Sequence, residues 1–220
     1  MPTHISRIPA LAGLLAVLGL AAPLQAAQVP FNDSWKVQRF SLFSGNDYGF
    51  GGDSLSVASD GTVSIAYRPL SEGAWGAESA GWSWSVSQGV PATDLTQKGG
   101  DDRNLALYFV FLPEARAEEL KGASITRLLN EDDIRALVYV WGGDHARGAV
   151  LPSPYLGARG KTVVLRPAGT GSHRENVDLA ADYARAFGGS PEALVGIAVS
   201  GDSDDTDSMI RADVSGLTVN

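Results

Sequence analysis

The sequence predicts an all-β fold, a two-sheet β-sandwich of the jelly-roll type with one or two short helices. Short segments alternating apolar and polar side chains recur along the chain, and turns rich in Gly, Asn and Asp separate them. Two later segments are apolar almost without a break. Alternation marks a strand with one covered face, and an unbroken apolar run marks a strand covered on both. Many such strands with turn signals between them close into a sandwich or jelly roll.

The chain opens on a leader. Arg7 precedes an apolar run from Ile8 to Leu20, and Leu24-Gln25-Ala26 places a small residue at a cleavage position. A membrane span needs about 20 apolar residues, so residues 1–26 read as a secretory signal peptide and 27–220 as a single β-sandwich domain. The expected location is periplasmic or secreted, with no transmembrane segment in the mature chain. There is no cysteine, which removes disulfides, thiolate nucleophiles and Cys-ligated zinc. With Arg7 set aside, 25 acidic residues face 16 basic ones. Phosphate binding needs clustered Lys and Arg, so nucleic acid is not an expected partner. Cations and neutral ligands such as sugars remain open.

In chain order, Trp35 to Leu42, Thr62 to Tyr67 and Trp82 to Ser87 alternate as half-buried strands do, with Gly45-Asn46-Asp47-Tyr48-Gly49 and Asp60-Gly61 as turns. Leu105 to Leu112 and Arg135 to Trp141 are the doubly covered strands. Thr162 to Leu165, Leu194 to Ser200 and Met209 to Val219 bring the count to roughly eight to ten. Helix is scarce. Asp178 can cap a segment in which Leu179, Tyr183 and Phe187 recur every four residues and Gly188 closes. Pro113 to Lys121 reads as a short helix, and Ser124 to Asn130 as one further turn.

Asp202-Ser203-Asp204-Asp205-Thr206-Asp207 packs four carboxylates into six residues. Calcium takes oxygen-only clusters of this kind, which makes Asp202, Asp204 and Asp205 the candidate metal ligands and calcium the one cofactor proposed. The competing reading is a solvated turn whose side chains bond the local backbone. The glycine and closing Glu of an EF-hand are missing. Lys98-Gly99-Gly100-Asp101-Asp102 sits ahead of the apolar Leu105 strand, where a carboxylate needs a partner. Asp101 and Asp102 are therefore candidate ligand-binding residues, against a plain turn with a Lys98–Asp contact. Trp82 and Trp84 read as core. Trp141, beside the loop Gly142-Gly143-Asp144-His145, is the better ring for stacking on a ligand. Nucleophilic catalysis has thin support: only His145 and His173 lie beyond the leader, His173 in an apparent exposed loop, and no Gly-x-Ser-x-Gly elbow occurs.

Gly81-Trp82-Ser83-Trp84, Lys98 to Asp102, Tyr139-Val140-Trp141, Leu151-Pro152-Ser153-Pro154-Tyr155, Glu175-Asn176-Val177-Asp178 and Gly196 through Thr206 follow one another in an order that resembles an exported bacterial family, DUF3047. The resemblance runs from about Trp35 to the C-terminus. It implies an exported sandwich similar in outline to galactose-binding-like jelly rolls, and no established activity. It also implies a basic residue at Ser83 and another at Ala106, so Asp101 and Asp102 would lack a counter-charge here.

The function these readings support is a binding module for carbohydrate or a cell-envelope glycan, with Trp141 and Tyr155 stacking and Asp101 and Asp102 accepting hydrogen bonds. An enzyme is the alternative, a glycan hydrolase or lyase drawing a carboxylate pair from Asp101, Asp102, Glu175 and Asp202. A structural envelope protein is the third reading.

Overall fold

The computed structural model of the protein describes residues 26–220. The leader expected over 1–26 lies outside the described residues except for Ala26. In chain order the strands are β1 (Ala27–Gln28), β2 (Lys36–Arg39), β3 (Asp47–Phe50), β4 (Ser54–Asp60), β5 (Val63–Pro69), β6 (Ser79–Gln88), β7 (Arg103–Leu112) and β8 (Arg135–Trp141). They continue with β9 (Val150–Ser153), β10 (Gly157–Arg166), β11 (Gly171–Asp178), β12 (Ala193–Asp202) and β13 (Met209–Val219). Three α-helices accompany them: α1 (Glu114–Glu119), α2 (Ile125–Leu129) and α3 (Leu179–Phe187).

Two sheets form the expected sandwich. One runs β11-β6-β13-β4-β3, with β1 also paired to β13; the other runs β2-β5-β12-β7-β8-β10-β9. Every pairing is antiparallel except β8 with β10. Leu105, Leu107, Phe109 and Phe111 of β7 and Leu137, Tyr139 and Trp141 of β8 point between the sheets. There they meet Trp82 and Trp84 of β6 at ring separations of 5.5–5.9 Å. The intervening residues of β7 and β8, among them Val110 and Leu112, Ala136 and Val138, face away from the other sheet. Ala117 of α1 and Leu128 of α2 pack with Val110 and Leu112 there, which is why both strands read as unbroken apolar runs.

Helix α3 has the predicted signals. The Asp178 side chain accepts from Ala181 N at 2.8 Å, and Gly188 ends the helix at φ +79°. Tyr183 packs edge-on to Phe111 at 5.3 Å. Asp178→Ala is expected to cost about 1 kcal/mol, the ordinary worth of an N-cap, read as a midpoint lower by about 2–4 °C in thermal unfolding.

Several expectations are corrected. There are thirteen strands and three α-helices among the described residues. Gly45–Gly49 is not all turn: Asp47–Phe50 pairs with Leu55–Ala58. The stretch at 171–178, expected as an exposed loop around His173, is a full strand on the edge of its sheet, paired residue for residue with β6. His173 is therefore half-buried, its ring 4.9 Å from that of Trp141. The strand expected over Trp35 to Leu42 is shorter: only Lys36–Arg39 pairs, and only with β5.

Candidate functional site

A bulge builds the site. On β7 the odd-numbered residues from Leu105 onward face the sandwich interior, so alternation alone would send Arg103 inward. The β7–β12 register instead slips between Ser200↔Ala106 and Asp202↔Arg103. Three residues of β7 span two of β12, which turns Arg103 to the outer face of the seven-stranded sheet, directly opposite Asp202.

Arg103 is the hub there. Its Nη1 donates to Asp101 Oδ2 at 2.8 Å and to the Asp101 carbonyl at 2.9 Å, and lies 3.0 Å from Asp202 Oδ2. Its Nη2 donates to the Tyr108 hydroxyl at 3.0 Å, which lies 3.2 Å from Ser200 Oγ. The Tyr155 hydroxyl, from the turn between β9 and β10, donates to Asp101 Oδ1 at 3.1 Å. Lys98 Nζ stands 5.4 Å from the centre of the Tyr155 ring and makes no ion pair with Asp101 or Asp102. The counter-charge expected to be missing is therefore Arg103, two residues from Asp101. Burial pushes the Asp202 carboxyl up to about 8; Arg103 opposes that rise, and Asp204, within hydrogen-bonding reach, adds to it. Asp202 Oδ1 is buried and faces no N–H or O–H donor, a setting that favours a proton on this carboxyl.

Asp102 plays a different part. It is fully buried, and its two oxygens accept from Asp205 N at 3.3 Å, Thr206 N at 2.7 Å and Thr206 Oγ1 at 2.5 Å. It ties the start of β7 to the turn after β12. The carboxylates brought within 4.8 Å of one another are those of Asp102, Asp204 and Asp205, with Asp204 and Asp205 exposed. Of the predicted metal trio, Asp202 is directed to Arg103 instead. An ion seated on Asp102, Asp204 and Asp205 would share Asp102 with three donors already in place.

This polar cluster lines part of a cavity of about 390 Å³ on the outer face of the sheet. Val63 and Ile65 of β5, Val110 of β7, Ala136 and Val138 of β8 and Ala198 of β12 line it. Ile125 and Leu129 of α2, the Ser153–Leu156 turn, Phe40 and Leu95 add to the wall, and Tyr108, Thr162 and Ser200 place further polar groups in it. Asp101, Tyr155, Asp202 and Asp204 reach this cavity together. Trp141 does not. It is 1% exposed, packed between the sheets against Trp84 and His173, so its expected role as a stacking ring is corrected: on a doubly covered strand its face is the core face. Glu175 is also set apart. Its Oε1 accepts from Arg166 Nε at 2.8 Å and Trp84 Nε1 at 3.1 Å, on the interior side of the sandwich.

Among the described residues, no helix is long and apolar enough to cross a membrane. No curated protein matches the chain. Solved structures of similar outline include the family 11 xylanase from Neocallimastix patriciarum, at 15% identity and a TM-score of 0.47 over 89% of this chain and 94% of that one. The xyloglucanase domain of NopAA from Sinorhizobium fredii, solved with cellobiose, is 8% identical with a TM-score of 0.45 over 90% and 99%. A cellulase derived from Cel12A of Rhodothermus marinus is 11% identical with a TM-score of 0.44 over 89% and 100%. The sequence match is the more telling one: residues 33–218, which hold every strand from β2 to β12 and nearly all of β13, fit the profile of DUF3047, a protein family of unknown function, and the chain belongs to it.

Proposed function

We propose that this protein is a ligand-binding module whose ligand occupies the cavity on the outer face of the seven-stranded sheet. The observation that carries this reading is the cavity's make-up: a mostly apolar wall that also holds Asp101, Arg103, Asp202 and Tyr155. Small-molecule sites have this composition, mostly apolar with a few convergent polar groups. A bare sugar fits poorly, because its hydroxyls would exchange water for Val, Ile, Leu and Ala side chains that cannot hydrogen-bond. A sugar carried on an apolar group suits both ends. Its hydrocarbon body lies along β5, β7, β8 and β12, and its hydroxyls meet Tyr155, Asp101 and Arg103. The leader proposed over residues 1–26 would deliver the protein to the periplasm or beyond, where such glycolipids of the envelope are found.

Calorimetric titration with octyl glucoside below its micelle concentration, alongside glucose and soluble oligosaccharides, tests the assignment. The expected result is saturable binding of the alkyl glycoside alone, weakened about fivefold by Tyr155→Phe through loss of one hydrogen bond worth about 1 kcal/mol. Equal or tighter binding of the free oligosaccharides, or no binding of the alkyl glycoside, would refute it.

One observation favours a second reading. Asp101 and Asp202 share a single guanidinium nitrogen and both line the cavity, so two carboxyl groups face one site, as a glycan hydrolase would require. Release of reducing ends from envelope glycans, abolished by Asp202→Asn, would establish hydrolysis; the binding reading expects none.

A further inference from the structure

The segment after β2 carries a feature the cavity explains only at Phe40, which lines it. Phe40, Leu42 and Phe43 are 61%, 89% and 96% exposed. Three large apolar side chains within four residues form a protruding tip. Isolated exposed apolar residues are ordinary, whereas a contiguous group marks a contact surface. The charges that precede the tip on β2 are cationic, and an exposed carboxylate, Asp47, follows it. Lys36 and Arg39 of β2 are exposed, and among the described residues neither forms an ion pair. This stands out in a chain of net charge −8. Apolar side chains flanked by free cations match the water–lipid boundary of an anionic bilayer, where rings and branched chains enter the acyl edge and Lys or Arg stays at the headgroups.

We propose that the Phe40–Phe43 tip docks this protein onto an anionic lipid surface, with Phe40, Leu42 and Phe43 inserted and Lys36 and Arg39 at the headgroups. The register supports this orientation. Gln38 of β2 lies opposite Ile65 of β5, and Phe40 continues that face to the cavity's edge. Docking through the tip therefore presents the cavity's edge to the membrane. The inference does not depend on what the cavity binds.

Because the chain has no cysteine, one probe site can be made at will. An environment-sensitive dye on full-length Ser41→Cys protein reports on the tip itself, and one on Ser190→Cys, in the connection from α3 to β12, serves as reference. Vesicles of phosphatidylcholine mixed with phosphatidylglycerol are expected to shift the emission at position 41 to the blue and leave position 190 unchanged. Removing each cation, in Lys36→Gln or Arg39→Gln, is expected to weaken the apparent affinity about fivefold, and Phe43→Ser about tenfold or more. No shift at position 41 overturns the proposal, as does an equal shift on pure phosphatidylcholine. A shift without lipid that grows with protein concentration overturns it too, by showing that a second copy of the chain covers the tip. These outcomes are independent of the alkyl glycoside titration.

Discussion

Replacing Arg103 with Met is expected to destabilise the protein by about 3–5 kcal/mol, the range for removing one partner of a buried ion pair. The side chain is 11% exposed and holds Asp101, Asp202 and Tyr108 at once. Methionine fills much of the same space, so the loss would come from stranding two buried carboxyls and a tyrosine hydroxyl rather than from a void. Arg103→Lys should recover only part of it, because one ammonium cannot reproduce a fork that grips Asp101 and Asp202 through one nitrogen and Tyr108 through the other. Urea unfolding of the three proteins checks this. An Arg103→Met protein within about 1 kcal/mol of the parent would mean that the two carboxyls are held by something other than the guanidinium.

The second large effect is on pH. Asp202 has its carboxyl raised from 3.8 to about 8 in the folded protein, chiefly by burial. The folded state then keeps a proton that the unfolded chain gives up, so the stability Asp202 contributes is complete below about pH 4 and drains away as pH climbs toward 8. Each pH unit inside that window removes at most about 1.4 kcal/mol. Denaturant midpoints measured in EDTA should thus fall from pH 5 to pH 8 in the parent, and the slope should flatten in Asp202→Asn, which keeps an uncharged group of similar shape. A parent midpoint that rises over the same interval would contradict a protonated Asp202.

The sandwich was legible because its determinants are local. Alternation in β5 and β6, the unbroken apolar runs of β7 and β8, and the capped four-residue spacing of α3 act within one segment each. The candidate site was legible only as a list of carboxylates. Asp101, Asp202 and Asp204 do converge on the cavity, but their organiser, Arg103, was invisible, because its direction is set by a bulge between two strands about a hundred residues apart. Trp141 failed for a related reason: on a strand apolar on both faces, parity says which residues share a side and not which side is core. Strand β11 escaped because an edge strand pairs on one flank only and tolerates the Gly, Ser and charged residues that otherwise mark a loop.

The order of strands has a consequence for how the chain comes together. β12 lies between β5 and β7 in one sheet, and β13 is the middle strand of the other. The two strands latest in chain order are thus the ones around which both layers are assembled. Nothing synthesised earlier can complete either layer, and pairings of such long sequence separation form slowly. The same arrangement makes Met209–Val219 integral to the fold: removing it would take the central strand out of one sheet rather than fray an edge.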